Sequence, residues 1–188
     1  MISISLHEFA HAYASYLEGD DTAQAMGRLT FNPLAHIDWM GLMLLMIIGF
    51  GWGKPVPFNQ YNLKHKRFGP AIVSLAGPFS NLLMVIAVGL ALKLIIMFGH
   101  LSGDNLLIVF LLSLIQINLI LMIFNLIPIP PLDGSKVLYS FLSYQQRYII
   151  IFLETYGIWI LLAFMIFGSS IFEFVFNFFY NLVLLVIL

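Results

Sequence analysis

The sequence predicts an all-α membrane protein: a polytopic helix bundle of about four to six membrane segments, with a re-entrant or extended segment after the first helix. Hydrophobic residues make up 61% of the chain and charged residues only 9%, and the mean hydropathy is +0.99. These values lie outside the range of soluble globular domains. The length of 188 residues fits one domain, which we expect to cover residues 1–188.

Charge and cysteine content exclude two further classes. A net charge of −1 leaves no basic surface to neutralise phosphates, which argues against nucleic-acid binding. The chain contains no cysteine. Disulfide bonds and thiolate metal sites are therefore excluded, and any metal ion must be bound by nitrogen and oxygen atoms.

The first helix is predicted from the start of the chain to about Leu17, before the polar residues 18–21. It measures roughly 25 Å, less than a hydrocarbon core of about 30 Å, so we expect a natural helix that is truncated here at its N-terminus. Residues 19–37 form a polar connection. The apolar run 39–50 is too short to span and predicts a half-span or re-entrant helix, capped by Asp38.

The rest of the chain alternates between proline-containing loops and apolar runs. Two prolines within residues 51–58 forbid a helix there and predict an extended edge. The next run begins with Pro70, a favourable first helical residue, and exceeds one span, so we expect a kink near Pro78 or a protruding end. The predicted elements are a helix over 70–98, a tight turn at 99–103, a span over 106–127, an interfacial helix over 135–143, a span over 148–167 and a final apolar helix over 171–188.

The basic residues predict the orientation. Seven of them fall in loops on one side of the proposed spans, and the turn at 99–103 has none. By the positive-inside rule, the side that carries them is cytoplasmic. The residues are Arg28, Lys54, Lys64, Lys66, Arg67, Lys136 and Arg147.

Residues 7–11 of the first helix read His-Glu-Phe-Ala-His. Histidines four apart lie on one helix face, so His7 and His11 can bind one metal ion, and zinc suits two imidazoles. Glu8 lies about 100° around the helix, where it reaches a metal-bound water as a general base. The alternative is two hydrogen-bonded histidines on an ordinary helix. The apolar flanks disfavour it, because ionisable side chains in a membrane helix are costly and usually functional.

Two histidines require a third ligand, and Asp133 is the candidate. It follows Pro128, Pro130 and Pro131 and precedes Gly134, in an irregular loop on the same side as His11. A solvated turn is the alternative reading of this loop. The rival ligands are His36, Asp38, His65, His100, Glu154 and Glu173, which lie in loops, on the opposite side or near span ends.

Four polar residues within spans form two helix stripes, Ser74 with Asn81 and Asn118 with Asn125. Such stripes usually hold helices together by hydrogen bonds, and we expect this role for Ser74 and Asn118. Asn125 directly precedes the proline-rich loop, and Asn81 follows Gly77 and Pro78, where helices approach closely. Both are candidate active-site or substrate-binding residues.

Three segments in this order, residues 7–11, residues 76–81 (Ala-Gly-Pro-Phe-Ser-Asn) and residues 125–134 (Asn-Leu-Ile-Pro-Ile-Pro-Pro-Leu-Asp-Gly), resemble the site-2 protease family of intramembrane zinc metalloproteases in its short prokaryotic form. The resemblance covers nearly the whole chain, without the PDZ or CBS domain of longer relatives. It implies one Zn²⁺ bound by His7, His11 and Asp133, with Glu8 as the catalytic carboxylate and Asn125 near the active site.

The expected function is therefore hydrolysis of peptide bonds within or near transmembrane segments of membrane proteins. The partners implied are substrates with a transmembrane helix and the lipid bilayer, and the expected location is the cell membrane, with the active site nearer the cytoplasmic face. Two other classes stay open: a metal or proton transporter that uses the same buried residues, and an inactive zinc-binding relative that acts as a membrane chaperone.

Overall fold

A computed structural model describes residues 1–48, 53–98 and 105–187. The expected turn at 99–103 lies outside these residues, as does the beginning of the 51–58 stretch. The described ranges contain eight α-helices and no β-strand. The helices are α1 (Ile2–Leu17), α2 (Thr22–Ala25), α3 (Trp39–Ile48), α4 (Gly69–Phe98), α5 (Leu106–Asn125), α6 (Asp133–Phe141), α7 (Arg147–Phe167) and α8 (Ser169–Ile187).

Four of these helices, α4, α5, α7 and α8, are long and apolar enough to cross a membrane. With 16 residues, α1 measures about 24 Å and is shorter than a full span. The predicted fold class, an all-α polytopic membrane bundle, is confirmed.

The short apolar run forms α3 as predicted, and Asp38 caps it. The Asp38 Oδ1 atom accepts hydrogen bonds from the backbone N–H groups of Met40 (2.9 Å) and Gly41 (3.0 Å). These two groups have no partner within the helix, so the carboxylate satisfies them. Residues 53–58 then run without helix or strand. We call this segment the strap.

The structure corrects some predicted boundaries. The expected interfacial helix begins at Asp133 rather than 135, so Asp133 is the first residue of α6 and not part of the preceding loop. The last proline of that loop is Pro131, so nothing prevents helical geometry from residue 133 onwards. A carboxylate in the first turn also interacts favourably with the helix dipole. The preceding span ends at Asn125, two residues before the expected end. We call residues 126–132 the proline loop.

The central helix is α4, which contacts α1, α5, α6 and α8. The second half of α4 packs against α5 and the end of α8 through an apolar core. The first half of α4 packs against α1 and positions the polar residues described below. The buried core residues are Val85, Val88, Leu92, Ile108, Ile115, Leu119, Met122, Ile123 and Ile187.

A buried carboxylate fixes the strap to the end of α1. The fully buried Asp20 accepts hydrogen bonds from Ser15 Oγ (3.1 Å) and from the backbone N–H of Asn59 (2.6 Å). It accepts two more from Thr22 N–H (3.2 Å) and Asn62 Nδ2 (3.0 Å). At the other end of the strap, Lys54 N–H donates to the carbonyl of His36 (2.9 Å). The strap is therefore anchored on both sides.

Candidate metal centre

The two histidines of α1 are buried and face the first half of α4. The His11 Nδ1 atom lies 2.8 Å from the Val73 carbonyl, and His7 Nδ1 lies 3.3 Å from Asn81 Oδ1. Residues 73 and 81 are two turns apart on α4, and the order of contacts shows that α1 and α4 run antiparallel. The face of α4 that carries Val73 and Asn81 is thus in contact with the face of α1 that carries both histidines.

These contacts place a hydrogen on the Nδ1 atom of both rings. The Val73 and Asn81 oxygens are acceptors, so each imidazole donates its Nδ1–H, and in a neutral imidazole the Nε2 lone pair is then free to bind a metal ion. The two Nε2 atoms point at each other, 3.0 Å apart. Metal-binding histidines are typically oriented in this way, by a hydrogen bond from the ring nitrogen that does not bind the metal.

Asp133, at the first residue of α6, completes a group of three ligand atoms. Its Oδ2 atom lies 3.2 Å from His7 Nε2 and 3.3 Å from His11 Nε2. The Oδ2 atom is buried and has no hydrogen-bond donor within the described chain. With both imidazoles neutral, three electron-pair donors face one another, and a cation between them would remove their mutual repulsion.

The three atoms have the spacing that zinc requires. The triangle has sides of 3.0, 3.2 and 3.3 Å, so each corner lies about 1.8 Å from its centre, and zinc bonds nitrogen and oxygen at about 2.0–2.1 Å. The donor set of two imidazoles and one carboxylate is typical of catalytic zinc sites, which keep a fourth position open. The residues present therefore fit Zn²⁺.

Gly77 on α4 allows this packing. A Cβ atom at this position would lie 2.5 Å from His11 Nε2 and 2.6 Å from the Cε1 atoms of both rings. Real Cβ contacts are not this short, so only glycine lets α4 approach the imidazoles so closely.

Glu8 lines the same cavity as the three candidate ligands, but its carboxylate is not part of their group. Its Oε2 atom accepts a hydrogen bond from the backbone N–H of Val56 in the strap (3.1 Å). Pro55 and Pro57 have no N–H to offer, so this contact is specific to one backbone position. Glu8, both histidines and Asp133 line one cavity of about 280 Å³. Its other lining residues are Pro55, Val56, Phe58, Ser74, Asn125, Pro131, Leu132 and Lys136.

The structure divides the predicted polar residues. Asn125 lines the cavity, and its Nδ2 atom donates to the Leu121 carbonyl (3.0 Å). Asn81 lies behind His7, fully buried, and does not line the cavity. Asn118 donates to Ser3 Oγ (3.0 Å) and joins α5 to α1, the helix-binding role predicted for it. Ser74, for which the same role was predicted, lines the cavity instead.

The rival ligands that are described lie outside the group of three. His36 bonds to the Thr30 carbonyl (2.9 Å), and His65 pairs with Glu18 (2.9 Å). Glu154 pairs with Lys136 (2.8 Å). His100 is outside the described residues. Lys136 was not singled out from the sequence as a site residue. The spacing of Lys136, three residues after Asp133, was the available signal.

Comparison with known proteins identifies relatives in bacteria. The chain is 40% identical to "Putative zinc metalloprotease YwhC" of Bacillus subtilis (strain 168) over 164 residues, which cover 84% of this chain and 73% of that protein. It is 31% identical over 159 residues to "Putative zinc metalloprotease Rip2" of Mycolicibacterium smegmatis, and 32% identical over 144 residues to the protein of the same name from Mycobacterium tuberculosis.

The aligned residues make up 57% and 53% of the two mycobacterial proteins, so the chain spans only somewhat over half their length. No family model matches the chain, and no solved structure matches it. The identity to the Bacillus protein extends over most of both chains. The chain therefore belongs to the site-2 protease family of zinc metalloproteases.

Proposed function

We propose that this protein is an intramembrane zinc endopeptidase that hydrolyses peptide bonds within or near transmembrane segments of membrane proteins. The observation that carries the proposal is the convergence of His7, His11 and Asp133 to within 3.0–3.3 Å of one another, with Glu8 on the wall of the same cavity. The names of the relatives support a metalloprotease. The four helices that are long and apolar enough to cross a membrane support the proposed substrate class.

His7, His11 and Asp133 would hold one zinc ion. Such an ion supplies Lewis acidity, which lowers the pKa of water to about 7 and polarises a peptide carbonyl. The protein's own contribution to the reaction comes from Glu8. Its carboxylate takes a proton from the attacking water and later returns that proton to the leaving nitrogen of the cleaved peptide bond.

The strap orients Glu8 for this task. The Val56 N–H bonds to one carboxylate oxygen, which leaves the other oxygen, Oε1, available for proton transfer. This contact holds the carboxylate in one orientation on the wall of the cavity.

A transmembrane helix conceals its carbonyl groups in internal hydrogen bonds, so the substrate must unwind locally before it can be cut. The strap is the extended segment nearest to the cavity, which suggests pairing with the unwound substrate. The N–H groups of Lys54 and Val56 are already used and Pro55 and Pro57 have none. At these positions the strap therefore offers only its carbonyl oxygens, which can accept hydrogen bonds from N–H groups of the substrate.

The Glu8→Gln variant tests the proposal. Glutamine keeps the size of the side chain but cannot accept the proton, so we expect normal zinc content and a loss of cleavage of about 10²- to 10⁴-fold. The assay combines purified protein with a single-span membrane protein as substrate and measures product formation and zinc per chain. Glu18→Gln is the control, because Glu18 lies at the other end of α1 and pairs with His65.

Full activity of Glu8→Gln would remove Glu8 from the reaction. Zinc uptake into vesicles without cleavage of any membrane substrate would favour the transporter. Zinc binding without either activity would favour the inactive chaperone.

A further inference from the structure

An ion pair lies beside the metal centre and has no part in the reaction described so far. The ammonium Nζ of Lys136 on α6 lies 2.8 Å from Glu154 Oε1 on α7. The same ammonium lies 5.1 Å from the centre of the Tyr139 ring. Glu154 is seven residues into α7, or about 10 Å along it. A charged residue at this depth in a membrane helix calls for a functional explanation.

Lys136 is placed at the cavity by the helix that carries Asp133. The two residues are three apart on α6, so their side chains share one face. Both line the cavity that also contains His7, Glu8 and His11. Among the side chains that line this cavity, Lys136 is the one with an ammonium group, whose three N–H donors are charged.

The strap offers an unwound substrate no N–H donor between Lys54 and Pro57, because these N–H groups are used or missing. One N–H of the Asn125 amide donates to its own helix. A peptide that unwinds in an apolar setting exposes carbonyl oxygens, and each of them needs a donor. Glu154 takes one N–H of Lys136, which leaves two.

We propose that Lys136 is a substrate-binding residue, whose ammonium, held by Glu154, donates a hydrogen bond to a backbone carbonyl oxygen of the unwound substrate segment. This inference rests on the proposed peptidase function. The pair with Glu154 makes the cluster electrically neutral, so it suits a neutral carbonyl oxygen rather than a substrate carboxylate, which would be repelled by Glu154. The strap accepts hydrogen bonds from the substrate and Lys136 donates one to it.

Binding is tested in the Glu8→Gln background, so that no cleavage is needed. The probe is a labelled apolar peptide of about 25 residues with Asn-Pro at its centre, in detergent micelles. We expect Lys136→Met to weaken binding roughly 10- to 100-fold, the effect of losing a hydrogen bond to a charged group. Lys136→Arg retains donors and should stay within about threefold.

The exchange variant, Lys136→Glu with Glu154→Lys, separates substrate binding from a merely structural ion pair. It keeps the bond between α6 and α7 but places an acceptor at the cavity. We expect it to bind as weakly as Lys136→Met, with zinc content near that of the parent. Lys93→Met is the matched control. Lys93 lies on α4 about 24 Å beyond Gly77 and bonds to the Val186 carbonyl (2.6 Å), so binding should not change.

Recovery of binding in the exchange variant would overturn the proposal, because the ion pair would then serve only to join α6 to α7. Loss of zinc in Lys136→Met would also overturn it, since the lysine would then support Asp133. If the otherwise unmodified protein fails to cut the same peptide, the peptidase proposal fails, while the binding result still decides the role of Lys136.

Discussion

Single residues set the distance between α1 and α4 at the metal centre. Gly77 lies opposite both imidazoles, and the Val73 carbonyl and Asn81 amide bind their Nδ1 atoms on either side of it. The three positions 73, 77 and 81 recur every four residues and so form one face of α4. One face of α4 therefore lets the two helices approach closely, through Gly77, and also provides both hydrogen bonds that orient the imidazole rings.

We expect Gly77→Ala to reduce zinc affinity by at least about tenfold, as do other changes next to metal ligands. The added methyl group would lie 2.5–2.6 Å from both rings, which must then move. The measurement is zinc retained against a competing chelator. Gly89→Ala on the same helix is the matched control, because its Cβ would meet only the flexible Ile187 side chain at 3.2 Å. Equal zinc retention in both variants would contradict this account.

For single residues, the sequence predicts how side chains within one helix lie relative to one another. His7, Glu8 and His11 are related by helix geometry alone, and in the structure all three line one cavity. Asp133 was selected by elimination and by its irregular surroundings. The position of Asn81 behind His7 depends on how far α4 is shifted along α1, and no local pattern encodes that shift.

Among the elements, the strap connects the end of α1 to the cavity of the candidate metal centre. Asn59, directly after the strap, donates its N–H to Asp20, and Lys54 near the start of the strap donates to the His36 carbonyl. Between them, the Val56 N–H donates to Glu8. Burial of Asp20 raises the pKa of its carboxyl group, but hydrogen bonds from Thr22, Asn59 and Asn62 lower it more. The resulting pKa is about 2, below the ordinary value of 3.8.

A lowered pKa in the folded state means that Asp20 stabilises the fold when it is ionised. Its contribution, roughly 2 kcal/mol, is complete above about pH 4 and is lost as the pH falls towards 2. We expect the melting temperature of the protein to exceed that of Asp20→Asn at pH 7, and the difference to shrink between pH 4 and 2. A difference that does not depend on pH would show that the charge of Asp20 is not what matters.

Element boundaries were predictable where the sequence contains strong signals. Asp38 caps α3, and the end of α1 coincides with the polar residues 18–21, as predicted. The start of α6 was predicted two residues late, because prolines were taken to disrupt the chain as far as Asp133. The path of the strap across Glu8 was not predictable, since it depends on hydrogen bonds between residues about 40 to 50 apart in the sequence.

Across the whole molecule, charge is distributed unevenly between the two ends of the helices. Seven of the eight lysines and arginines lie in loops or helix ends on the side of the metal centre. The eighth, Lys93, lies near the far end of α4, where its ammonium binds the last turn of α8. By the positive-inside rule, these seven basic residues predict that the metal centre lies nearer the cytoplasmic face, and this orientation remains a prediction.

Cysteine labelling tests this orientation without background, because the chain has no cysteine of its own. We expect a membrane-impermeant maleimide to label Leu106→Cys in intact cells and Lys66→Cys only after permeabilisation. Leu106 begins α5 on the side away from the metal centre, and Lys66 lies in the exposed loop before α4. The reverse pattern would place the active site on the outer side.

The central claim is that His7, His11 and Asp133 bind one zinc ion together. Zinc content combined with X-ray absorption at the zinc edge, on the purified protein and on Asp133→Ala, tests it most directly. We predict about one zinc per chain, with imidazole nitrogens and a carboxylate oxygen at about 2.0–2.1 Å, and a clear loss of zinc in the variant. A zinc content and zinc environment that are unchanged by Asp133→Ala would contradict the claim.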